Sequence, residues 1–259
     1  MQPSDQDRAI EQERYERRAT EFLHAPTRLG LDGAASVPVE LRTPYLRYEA
    51  WVKQAARPGL TVLDVCCGDG RHSLTAAHTG CTITVSDIAP SNLAIARLRA
   101  DRAGVVLETV AANAEHLPFP DAHFDLVTCA GSLSYVDLEI FLAEVTRILR
   151  PGGAFIFVDS LNHNPVYRLN RFIHYLRGQR SRSTLQRMPT MATLRRLGEV
   201  FPGLEVSYHG IFSFLAPILR IAGRERATRW LDAADRIFSL CRRQAFKVVG
   251  LGRKPRAVQ

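Results

Sequence analysis

Residues 61–70 read Thr-Val-Leu-Asp-Val-Cys-Cys-Gly-Asp-Gly. The β-branched run Thr61–Val65 predicts a strand, Gly68-Asp69-Gly70 a turn, and Arg71–His78 a helix after it. Outward from this unit the pattern repeats. Thr82–Ser86 is strand-like and ends at Asp87, and Ser91 is placed to cap a helix over Asn92–Arg102. Val105–Val110 and Phe124–Cys129 read as further strands. Leu138–Leu149 is a helix closed by Pro151-Gly152-Gly153, and Ala154–Val158 a fifth strand ending at Asp159. Short β-branched runs separated by helices of about ten residues predict βαβ units in a mostly parallel sheet. Right-handed crossovers then put helices on both faces, and ligands bind outside the carboxyl ends of the strands.

The flanks are looser. Residues 4–24 read as a charged helix carrying Ile10, Tyr15, Ala19 and Phe22, and Tyr45–Ala56 as a second helix stopped by Pro58-Gly59. Beyond Asp159, helices are expected over Asn164–Arg177, Thr190–Val200 and Thr228–Cys241, with strands at Leu204–Tyr208 and Ala245–Leu251. The expected fold is α/β: a Rossmann-like, doubly wound, mostly parallel seven-stranded sheet, with N-terminal helices and a helical insertion before the last strands. The chain divides into an N-terminal helical cap (1–58), a ligand-binding core (59–160) and a C-terminal completion of the sheet with acceptor-facing insertions (161–259).

Composition narrows the class. The chain has 259 residues, 46% apolar and 23% charged, ample for a sizeable core and unlike a disordered or fibrous chain. No apolar run approaches the ~20 residues of a membrane span, and the N-terminus lacks a signal peptide's apolar stretch; a cytoplasmic protein is expected. Five cysteines with neither zinc-site nor disulfide-framework spacing fit reduced thiols and no metal. The net charge of +8 is unevenly spread: residues 1–159 hold 15 basic and 21 acidic side chains, a balance of −6, whereas residues 160–259 hold 19 and 5, a balance of +14. The second half therefore faces something anionic, or carries arginines that are merely solvated.

Alone, Asp64-x-Cys66-x-Gly68-x-Gly70 leaves two ligand classes open. A dinucleotide fingerprint wants Gly or Ala where Ser73 stands, and Asp64 would repel a pyrophosphate. Asp87, 19 residues beyond Gly68, suits ribose hydroxyls of either ligand class. A polar side chain after the third strand, in the run from Ala112 to Phe119, can read an adenine edge.

Four runs in order, VLDVCCGDG, VSDIAPSNLAIAR, NAEHLPFPDAHFDLV and LAEVTRILRPGGAFIFVD, resemble the class I S-adenosylmethionine-dependent methyltransferases, nearest the subgroup that includes the ubiquinone-biosynthesis type of small-molecule methyltransferase. The resemblance covers roughly residues 60–160. It implies S-adenosyl-L-methionine as cofactor, with Asp64 near its methionine end, Cys66 where the family usually has glycine, and Gly68 and Gly70 in the turn. Cys66 preserves that turn only with a negative φ. The resemblance further implies Asp87 on the ribose, Ile88 on the adenine face, Asn113 and Ala114 at the adenine edge, Ala130 and Leu133 beneath the cofactor, and Tyr15 closing over it. Tyr135 replaces a histidine common in the subgroup.

The implied reaction is methyl transfer to a small or lipid-linked acceptor, expected at oxygen. A hydroxyl acceptor needs a general base, for which His163 and Asp159, just past the fifth strand, are the catalytic candidates, with His174 and His209 more remote. The alternatives are an RNA methyltransferase, a nucleotide-dependent oxidoreductase on the same scaffold, and an inactive binding protein. Against RNA stand the lack of an aromatic-rich basic module and Ala130-Gly131-Ser132-Leu133 after the fourth strand. The apolar stretch Ile211–Leu219, followed by Arg220, Arg224, Arg226 and Arg229, fits an anionic, amphipathic acceptor and peripheral membrane contact through 211–229, or a packing segment with solvated arginines.

Overall fold

The structure, a computed structural model, describes residues 12, 13, 16, 17, 20, 30, 32–177 and 182–256. Seven strands form one mixed sheet: β1 Thr61–Val65, β2 Thr82–Asp87, β3 Glu108–Ala111, β4 Phe124–Ala130, β5 Leu149–Ser160, β6 Glu205–His209 and β7 Lys247–Arg253, in the order β3-β2-β1-β4-β5-β7-β6. All neighbours pair parallel except β7, which runs antiparallel to both β5 and β6. This is the Rossmann-like, mostly parallel sheet the alternation predicts. Its winding reverses between β1 and β4, which opens a crevice at their carboxyl ends.

Nine α-helices cover the sheet among the described residues: α1 Thr43–Ala55, α2 Leu74–Ala77, α3 Pro90–Ala103, α4 Leu138–Ile148, α5 Pro165–Leu176, α6 Arg182–Gln186, α7 Met191–Val200, α8 Ala216–Leu219 and α9 Arg224–Ile237. Each layer buries one stripe. On α4, Phe141, Leu142, Val145 and Ile148 recur at helical spacing and pack on Phe155 and Phe157 of β5. On the opposite face Tyr48 and Val52 of α1 meet Val62, Ile83 and Val158. Helix α1 thus packs in the helical layer on that face of the sheet.

Several helix ends follow from local chemistry. Asp137 accepts from the backbone N–H groups of Glu139 and Ile140, Asn164 from that of Val166, and Thr190 forms a reciprocal capping box with Thr193. Other expected boundaries move. Ser91 is not the cap of α3: Pro90 already occupies the first turn, and the Ser91 hydroxyl meets the Glu16 carboxylate instead. The helix expected over Arg71–His78 is regular only from Leu74, which leaves Arg71 and His72 in the turn. The third strand starts three residues late, because Gly104 ends α3 in the left-handed conformation and Val105–Leu107 run on as connection. Pro151-Gly152-Gly153 does not separate α4 from a later strand. Strand β5 begins at Leu149, and the extra residues are absorbed as a register shift against β4 between Phe124 and Leu126. The last long helix lies earlier than expected, at Arg224–Ile237 instead of Thr228–Cys241.

Candidate functional site

The β1 turn builds the site. After Val65 the chain turns sharply: Cys66, Gly68 and Gly70 all have positive φ, at 54°, 55° and 74°. The negative φ expected of Cys66 is not what the structure has. A side chain in the left-handed region costs roughly 1–2 kcal/mol, and here the turn imposes it. The three positions have different surroundings. A Cβ on Gly68 would meet nothing within 4 Å, whereas one on Gly70 would stand 2.6 Å from the Ala96 Cβ and 2.9 Å from its Cα on α3. Gly68 opens onto a cavity, and Gly70 lets the turn pack against a helix.

That cavity, of about 300 Å³, lies outside the carboxyl ends of β1, β2, β3 and β4, and Cys66, Gly68, Asp87, Ile88, Asn113, Ala114 and Ala130 line it. These are seven of the eleven expected cofactor residues. Asp87, at the end of β2, accepts from the backbone N–H groups of Gly68 at 2.9 Å and Ala89 at 3.0 Å and from Asn92 Nδ2 at 3.1 Å. A carboxylate offers about four acceptor sites, so one remains for a ligand hydroxyl, rather than the pair of ribose hydroxyls expected. Burial raises its pKa, and the three donors oppose the rise. Ile88 beside it is a partly exposed apolar surface on the cavity wall. Asn113 Oδ1 accepts from the Glu115 N–H at 3.0 Å, which leaves its amide NH₂ as the group to offer a ligand.

Three expected contacts are elsewhere. Asp64 is buried below the turn, with Ser73 Oγ donating to it at 2.5 Å and Thr128 Oγ1 at 2.8 Å. It supports the cavity floor without lining it. Gly70 faces α3. Leu133 is in the core, its N–H donating to Asp159 at 2.9 Å. Tyr15 lies outside the described residues, although Gln12 from the same segment lines the cavity.

Neither acid–base candidate reaches the cavity. Asp159 is buried and accepts from the Leu133 and Ser160 N–H groups, at 2.9 and 2.6 Å, so it ties the β4 loop to β5. His163 Nε2 accepts from the Met191 N–H at 2.9 Å and so holds the start of α7. Burial and the nearby Arg243 and Arg168 lower its pKa, consistent with an imidazole kept neutral to accept. His209 is also structural, bonded to Ser207 at 2.8 Å.

The residues that sequence reasoning missed are those the shortened α2 leaves in the turn. Asp69, Arg71 and His72 line the cavity. Burial works against the Asp69 charge, but the Arg71 fork and the Arg99 guanidinium outweigh it and bring the carboxyl to about 2. His72 stacks on Tyr45 with centroids 5.2 Å apart and meets Tyr48 edge-on. Burial, then Arg71, lower its pKa to about 4. It is therefore a neutral ring at pH 7, able to accept a hydrogen bond but resistant to protonation. The signal was present: Arg71 and His72 follow directly on the glycine turn, where a loop and a first helical turn differ in direction.

Asp64 yields a pH-dependent prediction. Burial raises its pKa from 3.8 to about 6, against the two hydroxyl donors, with Asp87 adding to the rise. The folded protein thus holds this proton more tightly than the unfolded chain. The cost of ionising Asp64 is absent below pH 3.8, grows as pH rises through about 6, and is complete above it. Asp64→Asn is expected to stabilise the protein by about 1–3 kcal/mol at pH 7.5, with the gain closing near pH 4. Urea denaturation at both pH values measures this, and equal gains at the two would contradict it.

A family profile described as "Methyltransferase domain" matches residues 63–157. The ubiquinone/menaquinone biosynthesis C-methyltransferase UbiE of Shewanella halifaxensis is 40% identical over 111 residues, 40% of this chain and 44% of that protein. The chain spans less than half the length of the curated relatives it matches. Among solved structures, the geranyl diphosphate C-methyltransferase of Streptomyces coelicolor, in complex with Mg²⁺, geranyl diphosphate and S-adenosyl-L-homocysteine, superposes with a TM-score of 0.56 at 17% identity, covering 81% of this chain and 79% of that one. The cyclase SpnF superposes with a TM-score of 0.56 at 21% identity, covering 83% and 84%. Likeness at these identities is a likeness of fold, and SpnF illustrates that one fold hosts different chemistries.

Proposed function

We propose, from the premise that residues 63–157 are a methyltransferase domain of the class I S-adenosylmethionine-dependent type, that this protein transfers a methyl group from S-adenosyl-L-methionine to a small-molecule acceptor. The observation that carries the reading is the cavity at the β1 turn: Gly68 leaves room that a Cβ would fill, Asp87 keeps an acceptor site, and Asn113 presents a donor. Those residues fit an adenosine, with Asp87 on the ribose, Asn113 at the adenine edge and Ile88 against the ring. Arg71 and His72, on the other side of Gly68, suit the methionine end.

When bound, the cofactor supplies an electrophilic methyl on a sulfonium. The chain's part is to align the partners and exclude water, worth several kcal/mol in such displacements. The finer reading is transfer to oxygen on a small or lipid-linked acceptor. Asp159 and His163 are engaged elsewhere, and the His72 ring, its pKa lowered to about 4 by burial and Arg71, is too weak a base at pH 7 to take that proton and offers the cavity a hydrogen-bond acceptor instead.

S-adenosylmethionine and S-adenosylhomocysteine are expected to raise the melting temperature, since a ligand bound only by the native state stabilises it by mass action. NADH should leave it unchanged. The reverse pattern would transfer the cavity to an oxidoreductase. A radiolabelled methyl-transfer screen over phenols, quinols, isoprenoid phosphates and RNA then assigns the acceptor class.

A further inference from the structure

Helix α5 is amphipathic in the inverted sense. Its polar side, with Tyr167, Arg171 and His174, faces inward and lines a second cavity of about 450 Å³ between α5, α8 and the Pro38–Leu41 segment. Its apolar side faces out. Val166, Leu169, Phe172, Ile173 and Leu176 fall within about a third of the helix circumference, and all are exposed: Leu169 61%, Phe172 50% and Leu176 68%. Across the cavity mouth, α8 and the turn after it add Ile218 and Ile221, the latter 89% exposed. A helix on a water-facing surface normally shows the opposite arrangement, and a contiguous exposed apolar patch marks a docking surface.

The stretches of chain that carry this patch are rich in arginine. From residue 160 to 198 the chain carries eight arginines and no acidic residue, and between Glu205 and Glu225 it carries Arg220 and Arg224 and again no acid. Arg168 on α5, Arg177 just after its end and Arg220 beside α8, which also pairs with Glu40, are exposed. Apolar side chains interleaved with arginines are what an anionic bilayer surface takes: the first enter the acyl boundary while the second meet lipid phosphates. The expected membrane stretch 211–229 divides into a packed first half and an exposed second half. Ile211, Ser213 and Ala216 are buried and Phe212 packs on Phe238, so its first half is a packing segment, whereas Ile218, Ile221, Arg224, Arg226 and Arg229 of its second half are exposed.

We propose that the outer face of α5, with Ile218 and Ile221, docks this protein on an anionic lipid surface, with the second cavity opening toward the bilayer. The interior of that cavity is prepared for a ligand. The Glu40 side chain on its wall is 4% exposed, with Arg220 3.5 Å from Oε1 and no hydrogen-bond partner for Oε2 among the described residues. A buried acceptor in that state calls for a hydroxyl or amine donor. Stacked Tyr167 and Phe246, 3.9 Å between centroids, make an aromatic wall, and Lys247 lies over both Phe246 and Tyr45, the ring that stacks on His72 of the first cavity. The docking surface stands independently of the cofactor assignment. Delivery of an amphipathic acceptor through it rests on the methyltransferase reading.

The test uses the full chain and extruded vesicles of phosphatidylcholine, with or without one-third phosphatidylglycerol. Co-sedimentation with the anionic vesicles at low salt is expected, weakened by high salt and by omission of phosphatidylglycerol. The double variant Leu169→Gln, Phe172→Gln should lose at least about tenfold in vesicle affinity while its melting temperature and S-adenosylhomocysteine affinity are unchanged. Absence of binding to the anionic vesicles overturns the proposal, as does undiminished binding by the variant. Sedimentation velocity showing a dimer that the same variant dissolves would make this face a contact between two copies and overturns it equally. Loss of S-adenosylhomocysteine binding by the wild type, with vesicle binding intact, would sink the methyltransferase reading alone.

Discussion

Gly70→Ala is expected to destabilise the protein by about 2–5 kcal/mol, enough to leave little of a typical domain's stability. Two terms add. The φ of 74° places an alanine in the left-handed region, and its Cβ would stand 2.6 Å from that of Ala96. Relief would require α3 to move off the turn, and α3 is fixed by Leu93, Ile95 and Ala96 in the core. Gly68→Ala is the control. It carries the same backbone cost of roughly 1–2 kcal/mol and meets nothing within 4 Å, so it should remain folded. Its larger counterpart Gly68→Val should remain folded and lose S-adenosylhomocysteine binding. Thermal and urea melts of the three variants check the order, and equal destabilisation at positions 68 and 70 would refute the steric account.

Asp87→Ala is expected to weaken S-adenosylhomocysteine binding by about 1.5–3 kcal/mol, roughly tenfold to more than a hundredfold. The carboxylate does two things that alanine cannot. It offers its remaining acceptor site to the ligand, and it holds the Gly68 N–H, the Ala89 N–H and Asn92 in place. Asp87→Asn separates these roles, because an amide keeps one acceptor oxygen but turns its NH₂ toward one set of donors. It should fall between wild type and alanine in a calorimetric titration. An affinity within twofold of wild type for Asp87→Ala would place the ribose elsewhere.

The β1 turn and Asp87 were legible because strand ends carry strong local signals: a β-branched run, then glycine or a carboxylate. Strand-end position did not give side-chain direction. Asp64 and Asp159 both stand at carboxyl ends, yet each points to a neighbour brought in from far along the chain, Thr128 for one and the Leu133 N–H for the other. His163 is likewise claimed by α7, 28 residues on. Such claims depend on packing between elements, to which a single sequence read locally is blind. The outward apolar stripe of α5 was written in plain periodicity, Val166, Leu169, Ile173 and Leu176. What periodicity could not say is that this stripe, rather than its polar opposite, faces away from the core.

The thiols of the β1 turn bear on how the protein can be handled. Burial raises the pKa values of Cys66, Cys67 and Cys129 far enough to deny them thiolate character, and it raises that of half-buried Cys81 as well. Cys241 alone among the five is exposed. Since alkylating and maleimide reagents select accessible thiolates, the native chain presents one attachment point for a fluorophore or spin label. That point lies just after α9, next to exposed Leu240 and outside the cavity at the β1 turn. A spectroscopic reporter can therefore be attached to the wild-type protein without first removing the cysteines on which its strained turn is built.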